Sequence, residues 1–207
     1  MEAQATQSRL TPFLVLFISL TAIFTSVTFY AMSSKPSQSF IGFGIYSQNG
    51  LQGYLPNSNL TVSVRQTVNW TFAVTNRMNM AEFVMIHTII GNSSTTPPNA
   101  TTPSTPPNAT ALLGATEQFI NDGETSRINF TWTIESSYQI AQLTYLNVSI
   151  DGQSAVSSAP VGTTSGRNFR LIFELWTFDP VSGSFQYGYP GQTSQVGVWL
   201  QVWFNAS

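Results

Sequence analysis

Two antiparallel β-sheets packed face to face, behind one N-terminal membrane-crossing helix, are what the sequence predicts, on three observations. From Phe13 to Met32 (FLVLFISLTAIFTSVTFYAM) no residue is charged, and the run is long enough to cross a hydrocarbon core as a helix. Beyond Phe40 the apolar residues recur with period two, the mark of strands half-buried in a sheet. Between those runs lie clusters such as NDGE and DGQS, whose Gly, Asn and Asp suit turns.

Taken in order, residues 1–12 are expected in the cytoplasm, 13–32 form the transmembrane anchor, and 33–39 (SSKPSQS) a linker. Arg9 and Lys35 flank the span almost symmetrically, so the positive-inside rule barely orients it. Pro12 suits the first helical position. A cleaved signal peptide ending near Ala31-Met32-Ser33 is the competing reading, but the apolar run exceeds the usual 7–15-residue h-region. The rest of the chain, 40–207, is long enough for one well-cored domain outside the membrane.

Candidate strands in that domain are Phe40–Tyr46, Leu60–Val64, Thr67–Asn76, Ala81–Ile90, Thr125–Ile134, Gln142–Ile150, Asn168–Phe178 and Val196–Asn205, with a short one around Phe185–Tyr187. Short antiparallel strands without helical periodicity predict an all-β, immunoglobulin-like β-sandwich. Between the fourth and fifth lies a Pro/Thr/Asn-rich loop, 92–111, in which TPPNAT occurs at Thr96–Thr101 and again at Thr105–Thr110. Its proline pairs exclude helix and central strand and predict an extended, solvated segment. With no cysteine, an outward-facing domain has no disulfide to rely on and must be held by its core.

Charged residues make up 8% of the chain, against about 25% in ordinary soluble proteins. Aromatic content of 13% argues against disorder. Hydroxyl and amide side chains keep a surface hydrated at any pH, which suits exposure to acid, where carboxylates lose their charge; many secreted β proteins are also Ser/Thr-rich. A net charge of −2 without a basic cluster argues against nucleic acid.

Asn-x-Ser/Thr, the acceptor motif for N-glycosylation, occurs at Asn59, Asn69, Asn92, Asn99, Asn108, Asn129, Asn147 and Asn205, all C-terminal to the apolar span. That one-sidedness orients the chain with its C-terminal domain outside the cell membrane. In Thr67–Asn76, Val68, Trp70, Phe72 and Val74 share one face and Asn69 takes the other. Asn129 and Asn147 stand opposite Ile128/Phe130/Trp132 and Leu146/Val148/Ile150 in the same way, because successive strand side chains point to opposite sides.

The residues for several chemistries are missing or isolated. One histidine, His87, and no cysteine make neither a blue-copper nor a His-based zinc site, and no nucleophile elbow accompanies His87. A glycosidase needs two carboxylates across one cleft; Glu135 and Glu174 could approach one another in space, but nothing in the sequence favours it. Asp122, Glu124 and Asp151 read as turn acids, with weak Ca²⁺ binding as the alternative. No enzyme activity, metal or cofactor is expected.

In the closing strand Val198, Leu200, Val202 and Phe204 form one face, leaving Trp199, Gln201, Trp203 and Asn205 on the other; Trp176, out of phase with Leu171, Phe173 and Leu175, joins that second face. Tryptophans opposite a core point to partner contact. The inverted phase would instead make them the core, as buried Trp is in many sandwiches.

Two blocks, YLPNSNLTVSVRQTVNWTFAVTNRMNMAEFVM (Tyr54–Met85) and RLIFELWTFDPVSGSFQYG with VWLQVWFN (Arg170–Asn205), resemble an archaeal membrane-protein family of unknown function that carries an outer-face, immunoglobulin-like, cell-adhesion-like domain. The resemblance covers the outer domain only. It implies the fold and an extracytoplasmic location and brings no catalytic residues. This chain departs from the family in having one span and an inserted Pro-rich loop. The expectation is a single-pass, N-glycosylated cell-surface protein, a structural or accessory subunit of a membrane or surface-layer assembly, with membrane lipid and other surface proteins as partners. A pilin-like filament subunit and an extracytoplasmic glycan- or solute-binding module are the alternatives. MEAQATQSRLTP offers only Arg9 for pilin-type processing, and a binding module would need a polar pocket.

Overall fold

The computed structural model describes residues 15–25, 39–56, 60–104, 112–155 and 161–207. The chain divides into two compact units, Met1–Gln38 and Ser39–Ser207. In the first, residues 15–25 are helical and every one is exposed. Thr21 and Thr25 direct their hydroxyls back to carbonyls one turn earlier, which removes the two polar groups from the apolar surface. The remainder of the span expected over 13–32 lies outside the described residues. No described helix is long and apolar enough to cross a membrane.

The second unit is a sandwich of two six-stranded sheets and a small ribbon. Sheet 1 runs β1 (Phe40–Ser47), β3 (Thr67–Arg77), β6 (Thr125–Ile140), β7 (Leu143–Ile150) and β8 (Gln153–Ala155), with β9 (Thr163–Thr164) also on β7. Sheet 2 runs β2 (Thr61–Val62), β14 (Val198–Ala206), β10 (Phe169–Asp179), β4 (Glu82–Gly91) and β5 (Leu112–Ile120), with β11 (Ser184–Tyr187) also on β10. β12 (Tyr189–Pro190) and β13 (Gln195–Val196) form the ribbon. Among the described strands pairing is antiparallel except between β14 and β2, and Trp176 and Gly188 form an isolated parallel bridge.

The inward faces carry the residues that alternation assigns to them. Trp70, Phe72, Phe130 and Trp132 of sheet 1 meet Phe173, Phe169 and Phe204 of sheet 2, all buried. The Phe72 ring lies 4.8 Å from Phe130 and 5.0 Å from Phe173, and Trp132 lies 5.0 Å from Phe204. Val198, Leu200 and Val202 pack on this core, so the phase read for the closing strand holds.

Three departures from the sequence reading have local causes. β5 belongs to no predicted strand, because at the sheet edge its middle residues, Gly114 to Gln118, stay half-exposed or exposed and show no apolar period. β6 runs on to Ile140, past a bulge at Glu135. Its polar tail pairs with β7 through a two-residue turn in which Ala141 and Gln142 have φ of 48° and 68°, a type I′ geometry without its usual Asn-Gly. Finally, β6 lies beside β3, with β7 outside it, whereas the A-B-E-D order of immunoglobulin domains puts the strand leading into F beside B. Buried Asn76 accounts for this. Its amide donates to Met80 and Ile120 carbonyls at 2.8 and 3.0 Å, and its backbone bonds Gly123 and Glu124. The β5–β6 corner is thereby pinned to the end of β3, and β6 must enter the sheet there.

Phe173 touches Trp70, Phe72 and Phe130, so Phe173→Ala is expected to cost about 3–5 kcal/mol. Urea unfolding of the full chain in detergent reads this as a lowered midpoint. An unchanged midpoint would mean that other contacts hold the sheets together.

Candidate interaction face

The even-numbered residues of β10 point away from the core. Arg170, Ile172 and Glu174 stand in one row, flanked by Trp203, Gln201 and Trp199 on β14 and by Gly91, Ile89 and His87 on β4. This is the face that the sequence assigned to the tryptophans, and it is not bare. Residues 92–104, expected as a solvated loop, lie across it as a strap.

The strap buries Pro98 over a face on which Ile172 and Ile89 are also buried, and it is tied down by hydrogen bonds. The Arg170 guanidinium donates to the Thr95 carbonyl, and to Gln201 Oε1 at 3.0 Å. The Ser104 N–H donates to Glu174 Oε1 at 2.5 Å. Farther along, the Tyr187 hydroxyl donates to the Asn99 carbonyl at 3.0 Å, and the Gly197 N–H to that of Ala100 at 2.5 Å. Underneath, Arg170 keeps 3% of its surface and Glu174 1%. Buried ionic groups without such bonds are costly, which explains why a proline-stiffened segment docks on a sheet. Proline preserves every carbonyl acceptor, and two of these bonds use backbone carbonyls of the first TPPNAT copy.

The three tryptophans differ in role. Trp203 is 37% exposed, and the Arg170 guanidinium lies 4.9 Å over its ring. Trp176 is half-buried, donates Nε1 to Glu174 Oε2 at 3.3 Å, and packs 4.9 Å from the His87 ring and 5.7 Å from Tyr187. Trp199 is half-buried opposite Glu174. Sequence reasoning missed Arg170, Tyr187 and Ser104, and took Glu174 only as half of a carboxylate pair with Glu135. Two charges four residues apart in the apolar run RLIFE, on the same side of one strand, were the available signal.

The expected acid pairs are not assembled. Glu174 lies on the outer side of sheet 2, whereas Glu135 is exposed on sheet 1 and accepts from Ser149 Oγ, so no cleft holds both. Asp122 accepts from Asn79 N, Glu124 from Asn121, and Asp151 from Thr131: each closes a local turn or corner. No group of three or more His, Cys, Asp or Glu among the described residues is arranged to hold a metal. One polar cleft of about 430 Å³ lies among Ser47, Asn49, Tyr54, Thr67 and Asn69.

The acceptor asparagines sort by what their side chains do. Asn69, Asn99 and Asn129 are exposed, and Asn99 uses only Oδ1, accepting from Thr101 and Thr102 N–H at 2.9 Å. Asn92 and Asn147 are half-buried and donate Nδ2 to Gly162 O at 2.9 Å and Ser136 Oγ at 2.8 Å. Asn205 accepts from Asn168 N at 3.0 Å. Asn59 and Asn108 lie outside the described residues.

Burial holds His87 below its ordinary value, against a weaker upward pull from the Glu174 carboxylate. A histidine depressed in the folded state binds its proton more readily when unfolded. Its contribution is therefore intact above about pH 6.5 and is lost as the pH falls toward the folded value. His87 is the only histidine, so His87→Gln is expected to flatten the fall in unfolding free energy between neutral and mildly acid pH. Identical slopes in the two proteins would exclude His87 as the cause. On the same face, Trp203→Ser is expected to leave the fold intact and to cost about 1–2 kcal/mol, the value of a cation–π contact whose cation is buried and whose ring is partly exposed. Unfolding on this change would make Trp203 a core residue. Neither a protein-family model nor a curated protein matches the chain.

Proposed function

We propose that this chain is a non-enzymatic, N-glycosylated cell-surface protein, anchored through residues 13–32 with its C-terminal domain outside, and a structural or accessory subunit of a membrane or surface-layer assembly. The observation that carries the reading is the orientation of Asn69 and Asn129. Both sit in the middle of strands that are apolar on their other side, and both are exposed. A bulky glycan is tolerated in mid-strand only there. The uncharged run from Phe13 to Met32 supports the anchor, and the flanking of β10 by β4 and β14 supports an immunoglobulin-like description of sheet 2, as F lies between C and G. Partner contact falls to the side of Trp176, Trp199 and Trp203, with Trp203 the exposed member.

Protease added to whole cells is expected to reach residues beyond Ser33 and to spare a tag at Met1. Cleavage of the tag from outside reverses the topology. Loss of the tag during maturation replaces the anchor with a signal peptide.

A further inference from the structure

The two mid-strand acceptors are not independent. β3 and β6 pair so that Asn69 faces Thr131 and Thr71 faces Asn129. The motifs Asn69-Trp70-Thr71 and Asn129-Phe130-Thr131 therefore lie antiparallel, each asparagine opposite the other's threonine. Thr67 and Thr133 continue the row on one side, bonded through their hydroxyls at 3.1 Å. On the other, exposed Arg127 stands opposite Ala73, its guanidinium 5.9 Å over the Tyr46 ring, before Thr75 and Thr125 close the row at 2.8 Å. Diagonal cross-strand neighbours stand about 7–8 Å apart. First sugars on both asparagines would stand side by side over Thr71 and Thr131, with Arg127 and Tyr46 at the edge of the patch beside Asn129 rather than between the two acceptors.

We propose that Asn69 and Asn129 are glycosylated together on the same molecule, forming one paired glycan patch at the centre of sheet 1, while Asn92 and Asn147 remain unmodified. This rests on the outward orientation of the domain proposed above. In the transfer, Nδ2 attacks C1 of the sugar of a lipid-phosphate-linked oligosaccharide. The C1–Nδ2 bond forms and the C1–O bond to phosphate breaks, with its electron pair leaving on the lipid phosphate. One of the two amide protons goes to a base of the transferase.

The product needs open space where the second amide hydrogen was. Asn69 and Asn129 have that space. Asn92 holds Gly162 through Nδ2 and the Ser94 N–H through Oδ1, in a segment so close that a Cβ on Gly162 would lie 2.8 Å from the Tyr145 ring. Asn147 donates to Ser136, and its Oδ1 is buried without a partner. Whether transfer precedes or follows folding, a sugar on either asparagine opposes this packing. A glycan on Asn69 also stands at the rim of the polar cleft that it lines, so the patch and a solute entering that cleft compete for one space.

The test is glycopeptide and intact-mass spectrometry on the full chain made in an N-glycosylating host, alongside protease protection of its membranes. Molecules carrying glycans at both Asn69 and Asn129 are expected. Asn69→Gln or Thr71→Ala should remove one glycan, Asn69→Gln with Asn129→Gln two, and Asn92→Gln or Asn147→Gln none. A translocated domain that is bare at Asn69 or Asn129, carries only one of them per molecule, or is modified at Asn92 or Asn147 overturns the pairing and leaves the surface reading standing. A domain retained on the cytoplasmic side overturns both.

Discussion

The contact of Phe72 and Phe130 with Phe173 joins sheets that no disulfide ties. Around these rings Trp70, Trp132, Phe169 and Phe204 complete an aromatic layer, and aromatic side chains bury more area per residue than any others. The layer also fixes what faces outward. Once Trp70 and Phe72 are inside, Asn69 and Thr71 have no choice of side, and once Phe173 is inside neither have Ile172 and Glu174. The sandwich therefore has two unlike outer faces set by one core.

Sheet 1 presents a mostly uncharged ladder of hydroxyls and amides. Sheet 2 presents a guanidinium and a carboxylate that are buried without being paired to each other. Each is supplied from the strap instead: Thr95 gives Arg170 a carbonyl, and Ser104 gives Glu174 an N–H. Gln201 and the Trp203 ring also hold the first, whose Nε is buried without a partner, and Trp176 holds the second. Truncating one partner of a buried polar contact leaves the other to bear its desolvation, so sheet and strap depend on one another.

Most of the framework was legible because β1, β3, β4, β7 and β14 carry apolar residues in alternation on their core side, and β10 reads as a strand from its apolar run although the strap buries its outer side as well. The phases of Asn69, Asn129 and the tryptophans followed from the same alternation. The edge strand β5 was illegible for the converse reason: Gly114, Ala115 and Glu117 bury nothing that would set a period. The strap was illegible for another. Its order depends on hydrogen-bond partners far along the chain, and TTPPNATTPS has the composition of a solvated linker whether or not such partners exist. Physical reasoning on local windows reads packing well and distant polar satisfaction poorly.

The strap gives the domain a sense of time. Thr95 is joined to a residue 75 positions later, Ser104 to one 70 later and Asn99 to one 88 later. During synthesis it therefore emerges well before the β10 and β14 part of the face on which it lies, with only β4 already made. It can close fully only after β10 has formed and the chain has passed Tyr187 and reached Gly197. Closing loops of this span is slow relative to local pairing. In the interval the first TPPNAT copy is free for any enzyme acting on the nascent chain, and an uncovered strap would report a domain whose last strands have yet to arrive.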